Sequence, residues 1–179
     1  MATHAAFLRG MNVGGHRITN DELRAVFAAI GYEDAGVFRA SGNVAFDAGD
    51  ASDTEAVKRI EEGLESELGY AVPTFVRTAK EMHALAAAEP FETGAVEAAK
   101  GKPQVVFLRK RPAKKQREAV LARATDEDQL AFGPGAELFW LPSGGLMESG
   151  LGMDGLEDLV GQGTTRTKGT VEQITRKFF

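Results

Sequence analysis

Apolar residues alternate with other positions from about residue 3 to residue 8, and then Leu23, Val26, Phe27 and Ile30 recur at i, i+3, i+4, i+7. The change of period predicts a strand followed by an amphipathic helix. That helix has readable ends: Thr19 and Glu22 form a T-x-x-E capping box, and Gly31 suits the left-handed position after the last turn. Two short runs, roughly 35–39 and 43–47, flank Ser41-Gly42 in the manner of a tight hairpin with Val44 and Phe46 on one face. A second helix carries the stripe Val57, Ile60, Leu64, Leu68 and stops at Gly69, after which Ala71 to Val76 reads as a strand.

The first half therefore runs β-α-β-β-α-β, and the second half repeats it. Strand 104–109, a helix over about 112–124, strands near 128–132 and 136–141, and a helix over about 154–160 follow in the same order. A helix near 79–88 links the copies, helped by Pro90, Gly94 and Gly101, and a last helix places Val171, Ile174 and Phe178 on one face. The expected fold is α+β: two ferredoxin-like (α-β plait) subdomains related by internal duplication. The boundaries are 1–78, a linking helix and loop over 79–101, and 102–179 with the C-terminal helix. Several strands, such as Val105-Val106-Phe107-Leu108 and Leu138-Phe139-Trp140-Leu141, are apolar on both faces, so a second layer or a second protomer is needed to cover the face without helices.

Composition narrows the function classes. The 179 residues include no Cys, so disulfides and thiolate chemistry are excluded, and a metal site would need three His and scattered carboxylates; neither a metal nor a cofactor is expected. Residues 1–9 carry no basic leader and no apolar run long enough for a signal or a membrane span, so a cytoplasmic location is expected, as a monomer or homodimer. The net charge of −5 disfavours general nucleic-acid affinity. The distribution is uneven, with net −7 over 1–100 and +2 over 101–179.

Two motifs stand out where strands meet turns: Leu8-Arg9-Gly10-Met11-Asn12-Val13-Gly14-Gly15 and Ser41-Gly42-Asn43-Val44-Ala45-Phe46. In the ferredoxin-like order the first and third strands are adjacent and antiparallel, so the end of one motif should meet the start of the other. The site expected at that edge is for a small anionic or phosphorylated ligand. Arg9 and Arg39 supply charge, with Arg17 nearby; Asn12, Ser41 and Asn43 orient by hydrogen bonds; Gly14 and Gly15 allow close backbone approach; and the Thr19 helix offers N–H groups at its positive end. The spacing is neither that of a P-loop nor that of a dinucleotide fingerprint. Turn geometry for the glycines, backbone bonds for the asparagines and carboxylate partners for the arginines would account for the same residues without a ligand.

The two strings resemble the signatures of the domain-of-unknown-function family 1697, whose members typically read LRGINVGG and SGNVVF. Further matches are Glu22-Leu23-Arg24, Gly31-Tyr32, Val76-Arg77-Thr78, Glu89-Pro90-Phe91 and Thr164-Thr165-Arg166. The resemblance implies two ferredoxin-like subdomains and carries no established activity. Relatives usually show a GRSK-like stretch and a terminal TTRNWNTV, where this chain has Leu146-Met147-Glu148-Ser149-Gly150 and Thr164-Thr165-Arg166-Thr167-Lys168-Gly169-Thr170-Val171, without the Asn-Trp-Asn element.

Other chemistries compete. Ser41 with His4 or His16 is the one hydroxyl–imidazole set expected to gather near the edge, but no third orienting group or G-x-S-x-G motif accompanies it. His83 reads as a partly buried spacer, and Asp126-Glu127-Asp128 as a solvated turn. The stretch Arg109-Lys110-Arg111-Pro112-Ala113-Lys114-Lys115-Gln116-Arg117 has six basic residues in nine, which makes nucleic-acid binding the alternative, with Arg109, Lys110, Arg111, Lys114, Lys115 and Arg117 as its contacts. A module that only presents an edge or a face to a protein partner is the third reading.

Overall fold

A computed structural model describes residues 1–12, 17–39, 42–144 and 151–179, with backbone alone at 153–154. Its elements run in the order β1 (His4–Leu8), α1 (Asn20–Ala29), β2 (Gly36–Val37), β3 (Asn43–Phe46), α2 (Asp53–Leu68), β4 (Thr74–Thr78), α3 (Ala79–Ala87) and α4 (Thr93–Ala98). There follow β5 (Gln104–Leu108), α5 (Lys114–Leu121), β6 (Gln129–Phe132), β7 (Glu137–Leu141), α6 (Met153–Val160), β8 (Gly163–Thr167) and α7 (Lys168–Phe178). Contacts divide the chain into Met1–His83 with Gln173–Phe179, and Ala84–Glu172. The last residues of the chain thus fall with the first unit, whereas the sequence grouped the whole C-terminal helix with the second.

In the first unit the strand order is β2-β3-β1-β4, all antiparallel, and the period-two pattern of β1 sends Ala6 and Leu8 to the face covered by helices. There they join Val44, Phe46 and Val76 beneath Leu23, Val26 and Phe27 of α1 and Ala56, Ile60 and Leu64 of α2, the residues that the helical spacing marked. Both helices begin with a complete capping box, Thr19 with Glu22 and Ser52 with Glu55, and α2 ends on left-handed Gly69.

The second unit repeats the plan as β6-β7-β5-β8, with Val106, Leu108 and Leu138 beneath Val120 of α5 and Leu156 of α6. The repeat holds to the register. Phe7 pairs with Asn43 and Phe75, and Phe107 with Glu137 and Thr164. It also extends past the sheet: Ala79 N–H donates to Thr3 O and Lys168 N–H to Pro103 O, both at 2.8 Å, so α3 and α7 leave their strands in the same way. Thr78 and Thr167 are the matching caps, accepting from the N–H groups of Glu81 and Thr170 at 3.2 Å.

Two elements depart from the sequence expectation. Strand β8, Gly-Thr-Thr-Arg-Thr, has no apolar alternation and is fixed by pairing with β5; helix α4 lies in what read as a linker. The first hairpin strand is only Gly36–Val37, because the chain turns left-handed at Arg39.

Candidate functional site

The two motifs meet as the topology requires. Leu8 N–H donates to Gly42 O at 2.8 Å, carrying the β1–β3 ladder one step past the Phe7–Asn43 pair. Gly42 has φ +69°, and a Cβ on it would stand 2.9 Å from Leu8 Cβ and 2.7 Å from Met11 Cγ. Met11 is buried, so the glycine is the place where the second motif seats the first.

Each asparagine is tied to backbone. Asn12 is left-handed (φ +58°), and its Oδ1 accepts the Ile18 N–H at 2.9 Å, bridging the ends of the loop. Asn43, 1 % exposed, donates from Nδ2 to Phe38 O at 3.1 Å, and Phe38 N–H donates to Asn43 O at 2.8 Å, so one residue closes the hairpin twice. Arg9 follows β1 directly, its N–H bonded to Pro73 O at 2.9 Å. Gly14, Gly15 and Ser41, along with His16, lie outside the described residues.

Arg39 is exposed and left-handed (φ +58°). Its guanidinium donates from Nη2 to Gln173 Oε1 at 2.8 Å and lies over the Phe38 ring, 5.2 Å from the centroid. The glutamine belongs to α7, 134 residues away, and sequence spacing carries no signal for it. Asn12 and Arg39 are the non-glycine residues with positive φ among those described, one beside each motif turn.

The start of α1 is capped by its own side chains. Glu22 Oε2 accepts the N–H and the hydroxyl of Thr19 at 2.7 and 2.8 Å, and Thr19 Oγ1 accepts the Glu22 N–H at 3.2 Å. These bonds hold the Glu22 carboxyl below its ordinary range. The positive end of the helix thus already carries a carboxylate of its own.

The remaining candidates separate. His4 stands at the far end of β1, opposite Phe46, with Nδ1 2.8 Å from Thr3 Oγ1 and Nε2 3.2 Å from Asp53 Oδ1, so it does not join the edge where Leu8 meets Gly42. His83 is exposed, not partly buried. Asp128 is no solvated turn residue: it is buried, and accepts from Trp140 Nε1 at 3.0 Å and from Ser143 N and Oγ at 3.1 Å. Among the described residues no group of three His, Asp or Glu is placed to hold a metal ion.

The basic segment is partly structural. Arg111 Nη1 donates to the carbonyls of Gly133 and Gly135 at 2.8 Å and to that of Pro134, clasping the β6–β7 turn; Arg117 Nη1 donates to Pro112 O at 2.7 Å; Lys114 faces Glu118. Lys110 and Lys115 are exposed, and Arg109 follows β5 as Arg9 follows β1.

Where relatives of the resembled family show Asn-Trp-Asn, residues 167–169 end β8 and begin α7. Lys168 is buried there, its Nζ 2.5 Å from Glu172 Oε1, 3.1 Å from Ala86 O and 3.6 Å from Glu89 Oε1. The preceding Arg166 bonds Thr165 O and Thr164 Oγ1, and burial pushes its guanidinium down to about 10. Its counterpart Arg77 makes the same bond to Val76 O at 2.7 Å.

Fold and register define an α+β protein built from two copies of one ferredoxin-like unit, with motif turns gathered at one edge of the first sheet. The chain belongs to the family described as "Protein of unknown function (DUF1697)", whose model matches residues 1–138. It is similar in fold to a conserved bacterial protein, SP0830, from Streptococcus pneumoniae: the TM-score is 0.73 at 17 % identity, covering 99 % of this chain and 98 % of that one. No curated protein sequence matches it. Among the described residues no helix is long and apolar enough to cross a membrane.

Proposed function

We propose that the edge formed by residues 9–15 and 39–43 binds a small anionic or phosphorylated ligand. The observation that carries this reading is backbone strain. A non-glycine residue in the left-handed region costs on the order of 1 kcal/mol, and the two that adopt it among the described residues, Asn12 and Arg39, flank the same end of the β1–β3 ladder. Arg39 is exposed, one residue after the Phe38 whose backbone Asn43 bonds. The guanidinium fork suits a planar or tetrahedral oxyanion. Arg9 leaves β1 at the same end of the ladder, where its Cα follows the Leu8–Gly42 pair.

A thermal-shift screen of nucleotides, sugar phosphates and simple anions against wild type, Arg9→Ala and Arg39→Ala tests it. A ligand at 100 to 1,000 times its dissociation constant stabilises the native state by roughly 3–4 kcal/mol, and both alanine variants lose that gain. A screen in which nothing shifts while both variants melt below wild type removes the reading and makes the motifs structural.

A further inference from the structure

Helix α7 brings a further cation, Lys177, beside Arg39. Phe178 of α7 sits on edge strand β2 so closely that a Cβ on Gly36 would lie 2.4 Å from its Cε1, and its ring stands edge-on to Phe38 with centroids 6.5 Å apart. That seating fixes the neighbouring Lys177, whose Nζ lies 5.6 Å from the Phe38 centroid and 5.0 Å from that of Phe178. One phenyl ring thus gathers two cations, Arg39 and Lys177, while Gln173 of the same helix holds the guanidinium.

No carboxylate among the described residues is within ion-pair distance of either cation, in a chain with 26 acidic residues against 21 basic ones. Favourable placement at a helix C-terminus accounts for Lys177 alone. It gives no reason for Arg39 to adopt a left-handed backbone and approach the same ring.

We infer that Phe38, Arg39, Gln173 and Lys177 form a two-cation clamp for the diphosphate group of a ligand. This rests on the anion-binding reading of the edge and names its ligand class. Two linked phosphoryl groups, with more charge and more oxygens than a single carboxylate, engage both cations at once, the fork of arginine on one and the point charge of lysine on the other. Both cations stand near the Phe38 ring, so the phosphates are the groups they recognise.

Titration calorimetry with inorganic pyrophosphate, ADP and acetate on wild type, Arg9→Ala, Arg39→Gln and Lys177→Gln tests the clamp, with melting temperatures confirming that each variant folds. The expected result is pyrophosphate binding that weakens roughly tenfold or more in each glutamine variant, and acetate binding too weak to measure in all four proteins. ADP matching pyrophosphate supports a bare diphosphate as the recognised group, and ADP binding more tightly supports a nucleotide. If Lys177→Gln binds pyrophosphate like wild type while Arg9→Ala and Arg39→Gln do not, the clamp is wrong and the edge site survives. If wild type binds neither phosphate, both fall.

Discussion

Replacing Gly42 by alanine separates backbone strain from close packing, because a second glycine in the same site supplies the comparison. Gly10 (φ +74°) and Gly42 (φ +69°) share a left-handed backbone, so alanine costs each about 1–2 kcal/mol. A Cβ on Gly10 meets nothing within 4 Å, whereas one on Gly42 meets Leu8 Cβ at 2.9 Å and Met11 Cγ at 2.7 Å. Met11 can swing aside; Leu8 Cβ is fixed by the ladder. Forcing a methyl into such packing adds about 1–3 kcal/mol. The second unit shows that the hydrogen bond alone does not demand glycine: Leu108 N–H donates to Ala136 O at 2.9 Å in the matching position.

Gly42→Ala should therefore lose about 2–5 kcal/mol and Gly10→Ala about 1–2 kcal/mol. Urea unfolding followed by far-ultraviolet circular dichroism is the assay, since the single tryptophan, Trp140, belongs to the second unit and is blind to this turn. With a slope of about 1–3 kcal/mol per molar, the midpoints of the two variants should differ visibly at an unchanged slope. Equal shifts for the two would refute the claim that Gly42 seats the first motif.

Arg111→Ala removes the guanidinium that the carbonyls of residues 133–135 share; with that group exposed, the loss should be about 1 kcal/mol, seen as an earlier midpoint in Trp140 fluorescence, and an unmoved midpoint would mean the clasp is idle. Acid should destabilise the first unit through its caps. Glu22 and Glu55, bonded by Thr19 and Ser52, and Asp47, bonded by the Gly49 N–H and Thr3, are all held below their ordinary pKa values, so the unfolded chain binds protons first. Their contribution is complete above the ordinary carboxylate range of about 4 and is lost as pH falls through the lowered native values. A Glu22→Gln, Glu55→Gln double variant should flatten the fall of melting temperature between pH 5 and pH 3, and an unchanged slope would place the acid sensitivity elsewhere.

The helices of the first unit were legible because their signals are local: Thr19, Glu22, Ser52 and Glu55 are caps, and Leu23, Val26, Phe27, Ile60 and Leu64 share faces at short spacing. The meeting of the motifs followed from strand order, which the β-α-β-β-α-β sequence of periods supplies. Strand β8 escaped because five residues of Gly, Thr and Arg have no apolar rhythm; its place is set by β5, which lies some sixty residues earlier in the chain. The partners of Arg39 escaped for a similar reason. Phe178 was legible as a residue of the last helix's apolar face, but that face does not say which strand it will meet, and Gln173 and Lys177 have no pattern at all until Gly36 lets the ring seat. Glu22 was read correctly as a cap, and the carboxylate that it leaves at that helix end has a local signal too, the T-x-x-E spacing.

Internal duplication leaves each half of the chain as a record of what the other has changed. Where the first copy has Gly42 and Asn43 and a strained arginine, the second has Ala136 and Glu137 without a positive φ, with Arg111 clasping the turn before them from the surface. The shared register gives the two halves the same strand plan. A chain assembled from two first copies would carry the Gly42–Asn43 seam twice, and on the anion-binding reading proposed above it would hold a polyvalent ligand with an avidity that one such edge does not give.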